Sequence, residues 1–223
     1  MEDTEIINLW KTYGNKLEES LLMNRKNTAD ITKLKVQSFL ASMKPLKIFT
    51  ILVGILWVGF VDMLVIKLWS IASPFFLVSA GIQSLLTTIV IGVHIYQLVL
   101  IYLVDINEPI VATQNKLARL KSSTIWVTRL LFLQFPVWTT FYWSENAFRS
   151  GSLAYLYING LVTFAFTSLA VWLFVNIKAE NRNKKWFRLI FEGKEWTPVI
   201  KSMELLSQIE DYQVENETAR NGK

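Results

Sequence analysis

Four runs of apolar residues dominate the chain, covering about 46–68, 74–104, 124–143 and 153–177. A bilayer-spanning helix needs about 20 mostly apolar residues, and each run has that length. The pattern predicts an all-α, polytopic membrane protein with four transmembrane helices and amphipathic helices on one side. At 1.5 Å per residue the second run is about 45 Å long, more than a hydrocarbon core of about 30 Å, so it must tilt or project. The third contains Pro136. Three regions follow: an N-terminal amphipathic segment over 1–45, a transmembrane domain over 46–177, and a basic, amphipathic tail over 178–223 whose polar end, after about 215, reads as disordered.

The flanking segments carry helical periodicity. Ile6, Trp10, Tyr13, Leu17 and Leu21 recur at steps of three and four, which makes one stripe. Asn24 and Asn27 interrupt it, and Ile31, Leu34, Phe39 and Met43 resume it. The Asn27–Asp30 segment is either a turn between two helices or a polar layer in one, and a pair or kinked helix leading into the first span is expected. Between the second and third spans, Pro109 suits a first helical position, and Ile110, Leu117 and Leu120 share a face. In the tail, Thr197 and Pro198 mark a helix start, with Val199, Met203, Leu206 and Ile209 as its stripe.

Charge adds orientation. Of 23 Lys and Arg, eight lie at or before the start of the first span, three lie between the second and third, and nine follow the fourth. Cationic loops resist translocation, so both termini are expected in the cytoplasm. The outer loops are then only 69–73 and 144–152. Trp69, Trp126, Trp138, Tyr142, Trp143 and Tyr155 lie near the span ends, where amphipathic rings are favoured. The tail run Lys184, Lys185, Trp186, Phe187, Arg188 sets cations beside aromatics, which suits an anionic lipid surface rather than nucleic acid. Lys184, Lys185, Trp186 and Arg188 are the expected membrane-surface residues.

Polar residues inside the spans are the candidate chemistry. Asp62 lies about 9 Å below the outer end of the first span, and a carboxylate there is costly unless paired or neutral. Gln83 and Asn159 fall at similar depth, and His94, the only histidine, lies nearer mid-membrane in the second span. Asp62, Gln83, Asn159 and His94 are expected to form an intramembrane polar cluster, either as interhelical hydrogen bonds or as a ligand, ion or proton site. Asp62 is expected to face the bundle interior near Gln83 or Asn159. Arg129 can snorkel to the inner surface. With no cysteine, the chain can form no disulfide, thiolate metal site or cysteine nucleophile. It contains no HExxH, GxSxG or phosphate-cradling glycine loop. No enzyme activity, cofactor or metal is expected.

The stretches LWKTYGNKLEESLLMN and SFLASMKPLKIFTILVGILWV, with Trp10, Tyr13, Leu17, Asn24 and the Met43-Lys44-Pro45 approach to the first span, resemble small four-span inner-membrane proteins of Bacteroidota type encoded beside extracytoplasmic-function sigma factors. The resemblance is best over residues 9–60. It implies a bacterial inner-membrane regulator whose N-terminal helices hold a sigma factor, although the zinc-binding His and Cys pattern of many anti-sigma domains is missing here.

Two functions fit these residues. One is a membrane-tethered regulatory protein, anti-sigma-like in its most concrete form, that docks a cytoplasmic partner through Trp10, Tyr13, Leu17 and Leu21. The alternative is a small homo-oligomeric transporter or channel using the polar cluster around Asp62. The N-terminal stripe has a rival role of its own, packing on the inner loop near Leu117 and Leu120.

Overall fold

The computed structural model describes residues 2–105, 108–143, 153–181, 184–191 and 196–208. The elements are α1 (Glu2–Ala41), α2 (Lys44–Leu68), α3 (Pro74–Tyr102), α4 (Ile110–Leu133), α5 (Phe135–Thr140), α6 (Leu153–Asn176), a 3₁₀ turn (Ala179–Asn181), α7 (Lys185–Phe191) and a helix over 197–208, here α8.

Among the described residues, three helices are long and apolar enough to cross a membrane: the α1–α2 run within Glu5–Leu68, α3, and α6. The third apolar run of the sequence is not among them. It is divided between α4, which begins at Ile110 in the polar inner segment, and the six-residue α5. The break falls at Gln134, two residues before Pro136, which has no N–H to donate and whose ring crowds the carbonyl of Phe132 four residues back. The inner-loop helix and the start of the third run are thus one element.

The N-terminal segment forms one helix over Glu2–Ala41, where a helix pair or a kinked helix was expected. The Asn27–Asp30 region is helical, and the nearby hydroxyls bond back into the helix instead of capping a turn: Thr28 Oγ1 donates to Asn24 O at 2.9 Å and Thr32 Oγ1 to Thr28 O at 2.9 Å. A short turn at Ser42–Met43 separates α1 from α2, whose second residue is Pro45.

The bundle is a row. α2 packs on α3; α3 contacts α4 and α5; α4 and α5 contact α6. α3 is therefore the central helix and α2 and α6 lie at the margins. The most apolar stretch of the α1–α2 run is only 6% buried and that of α6 11%, against 28% for α3. At the α2–α3 contact, a Cβ on Gly54 would lie 2.9 Å from Ile91 Cγ1, so only glycine lets these helices approach this closely.

Two apolar clusters close one end of the row. In the first, Val36, Leu40 and Met43 meet Leu100, Ile101 and Val104 at the end of α3, Leu117 and Leu120 of α4, and Val199 and Leu206 of α8. The face of α1 that packs is the one carrying Val36 and Leu40, and not the one carrying Ile31 and Leu34, which are each 53% exposed. In the second, Phe187 and Phe191 of α7 and Trp196 pack on Ile125, Leu173 and Ile177. Lys116 draws the segment before α4 back onto it, pairing with Glu108 at 2.5 Å and donating to Leu103 O.

Candidate functional site

α1 leaves a long stretch uncovered. From Glu5 to Thr28 every described side chain is exposed. Over that stretch, about 36 Å of helix, α1 stands clear of the bundle. Trp10 is 77% exposed, Tyr13 68%, Leu17 63% and Leu21 49%. The rival position for this stripe is taken, because Leu117 and Leu120 are covered by Val36, Leu40, Met43 and α8.

The polar residues of the spans fall into separate groups, and Asp62, Gln83, Asn159 and His94 do not gather. A seam runs along the buried face of α3 at Ser79, Gln83, Thr87, His94 and Gln97, at helical spacing. Its partners on α4 and α5 follow in antiparallel register. Ser79 Oγ lies 2.8 Å from Thr140 Oγ1, Gln83 Nε2 donates to Gln134 Oε1 at 3.2 Å, and Gln134 Nε2 donates to Thr87 Oγ1 at 3.4 Å. Val90 then packs against Val127 and Leu130, an apolar layer within the seam. Below it, Gln97 Nε2 donates to Ser123 Oγ at 3.1 Å and Thr124 Oγ1 at 3.4 Å. His94 Nδ1 lies 3.1 Å from Gln97 Oε1 and 3.2 Å from Nζ of Lys47, which is fully buried between α2 and α3.

Asp62 is not in this seam. It lies exposed on the outer side of the α2–α3 pair, where Ser84 Oγ donates to its Oδ1 at 2.6 Å. It misses the interior because Val61, its neighbour, is the buried residue of that turn; successive helical positions are about 100° apart. Asn159 is on α6, half-buried, with Nδ2 donating to Tyr155 O at 2.9 Å. It lines a cavity of about 450 Å³ with Gln134, Trp138, Thr139 and Phe166. His94 lines another, of about 480 Å³, with Thr50, Thr124, Thr128 and the aromatics Phe135, Phe191 and Trp196.

In the tail, Lys184, Lys185 and Arg188 are exposed, but Trp186 is half-buried with its ring 5.2 Å from that of Trp172, and Phe187 is 1% exposed. The aromatic side of this run faces the protein, and its cations face outward.

Lys47, Thr87, Gln97, Ser123, Thr124 and Gln134 were not singled out by sequence reasoning. The available signal was the spacing of Ser79, Gln83, Thr87, His94 and Gln97 in an otherwise apolar run, which marks one helix face as polar and therefore inward. Gln97 links α3 to α4 in this seam, and it is fully buried. Replacing it with leucine is expected to destabilise the bundle by about 1–2 kcal/mol, the upper range for intramembrane hydrogen bonds. Unfolding of the purified protein in detergent should show it as a lowered midpoint, and an unchanged midpoint would contradict the structural role of the seam.

Comparisons with protein families, with curated proteins and with solved structures give no match, so the fold stands on its own geometry, which among the described residues is all-helical with three helices long and apolar enough to cross a membrane.

Proposed function

We propose that this chain is a membrane-tethered docking protein that holds a soluble cytoplasmic partner through the exposed stripe of α1. In this reading α2, α3 and α6 cross the bilayer, α4 and α5 together make the fourth crossing, both termini are cytoplasmic, and Lys184, Lys185 and Arg188 face anionic headgroups. The observation that carries the proposal is the contrast within α1. Its last turns are buried in the cluster of Val36, Leu40 and Met43, whereas Trp10, Tyr13, Leu17 and Leu21 are left uncovered. A helix presenting large apolar groups at three- and four-residue spacing suits a helix-in-groove or helix-pair contact. A sigma factor is the concrete candidate partner, in keeping with the resemblance over residues 9–60. The transporter alternative draws less support, since Asp62, the residue it centres on, lies outside the seam that holds Gln83 and His94.

The test is Trp10→Ala combined with Leu17→Ala. Aromatic anchors dominate many interfaces, and a loss of about 2.7 kcal/mol weakens binding roughly a hundredfold. The double variant should melt like the parent in detergent and lose its soluble partner in pull-downs from gently solubilised membranes. Parental recovery of the partner would reject the proposal.

A further inference from the structure

The exposed face around Asp62 is a second uncovered surface, independent of α1, and reading it needs only that α2 and α3 cross the membrane. Asp62 is six residues from the end of α2, roughly 9 Å along the helix axis. Its surroundings are apolar and outward-facing: Met63 is 51% exposed, Ile66 76% and Leu85 61%. In a bilayer this is a carboxylate turned toward lipid, with one hydrogen bond, from Ser84, among the described residues. A lipid-facing carboxylate costs several kcal/mol, and one hydroxyl donor leaves its second oxygen unmatched.

We propose that the Asp62 face of α2 and α3 docks a transmembrane helix of another membrane protein, one that carries a lysine or arginine at the depth of Asp62. Charge complementarity selects this occupant over a second copy of the chain. A two-fold contact through this face would set Asp62 against Asp62. Among the described residues no cation lies there either. Lys67 is five residues farther along α2 and about 140° around the helix. The Arg129 Nε donates to Ile177 O at 2.7 Å, at the α4–α6 contact on the far side of α3. A close approach is sterically open, because nothing lies within 4 Å of a Cβ placed on Gly59 or Gly81, one turn before Asp62 and Ser84 respectively.

A photo-crosslinking amino acid placed at Ile66 or at Leu85 in the full-length protein, in membranes of its source cells, tests this. Mass spectrometry of the adducts should find one membrane protein, joined through an apolar segment with a lysine or arginine within a turn of the crosslink. Asp62→Asn keeps an acceptor for Ser84 and should melt like the parent, yet lower the adduct yield at least tenfold. Asp62→Lys paired with an acidic residue at the partner's basic position should restore it. Adducts between two copies, adducts with lipid alone, a partner segment without a basic residue, or an undiminished yield for Asp62→Asn would each overturn the proposal. The parent adduct decides the matter even if the asparagine variant fails to fold. Because Trp10 and Leu17 play no part in it, failure here leaves the α1 reading untouched.

Discussion

Truncating Phe187 to alanine is expected to loosen α7 from the bundle. Its ring is stacked on Phe191 at 4.3 Å and meets the edge of Trp196 at 5.8 Å, and the side chain is 1% exposed. Removing a buried phenylalanine costs about 3–5 kcal/mol. Val199 and Leu206 hold α8 in the other cluster, so the loss should appear as local opening around α7 and not as collapse of the whole protein. Trypsin cleavage after Lys184, Lys185 and Arg188, all exposed at the rim of this cluster, should accelerate by two orders of magnitude or more, the kinetic equivalent of about 3 kcal/mol when opening precedes cleavage. Phe187→Leu, which keeps most of the volume, should change it far less. If Phe187 instead inserts into lipid, truncation would weaken vesicle binding and leave cleavage in detergent at the parental rate.

Leu117→Ala is expected to have the larger effect on the whole fold. Leu117 is fully buried where α1, α3, α4 and α8 meet, so a cavity there touches four helices. Leucine-to-alanine changes at such sites cost about 2–5 kcal/mol, depending on how far the surroundings collapse. The midpoint of thermal unfolding in detergent should fall, and hydrogen exchange should quicken together at Val36–Met43, Leu100–Val104 and Val199–Leu206. The comparison is Leu34→Ala. Leu34 belongs to the stripe expected from the sequence but is 53% exposed, so its loss should stay within about 0.5 kcal/mol of neutral. Equal losses at Leu34 and Leu117 would mean that α1 packs through the other face.

These two sites also show how much could be read from residues alone. Run length and apolarity located α2, α3 and α6 nearly to their ends, because a helix that must satisfy its backbone within a bilayer has to be long and apolar wherever it sits. Periodicity likewise found Leu117 and Leu120, and Val199 and Leu206, since a stripe at three- and four-residue spacing has to be buried against something. The same argument marked Trp10, Tyr13, Leu17 and Leu21 as a face needing cover, without saying what covers it.

Rotation and contact were decided only in three dimensions. A nearly all-apolar helix has no sequence signal for which side meets its neighbours, so depth alone put Asp62 with Gln83 and Asn159. Packing turned Val61 inward and left Asp62 outside. The small approach at Gly54 and Ile91, the antiparallel register that brings Gln97 to Ser123 and Thr124, and the burial of Lys47 beside His94 depend on two or three helices at once. The third apolar run lost its identity as a single helix through the local effect of Pro136, and α1 runs on through Asn27–Asp30, where Thr28 bonds back to Asn24 O instead of capping a turn. Local chemistry and hydrophobic pattern thus set the elements of this protein, whereas its polar seam, its exposed carboxylate and its uncovered helix are properties of the packing, which no single stretch of the chain encodes.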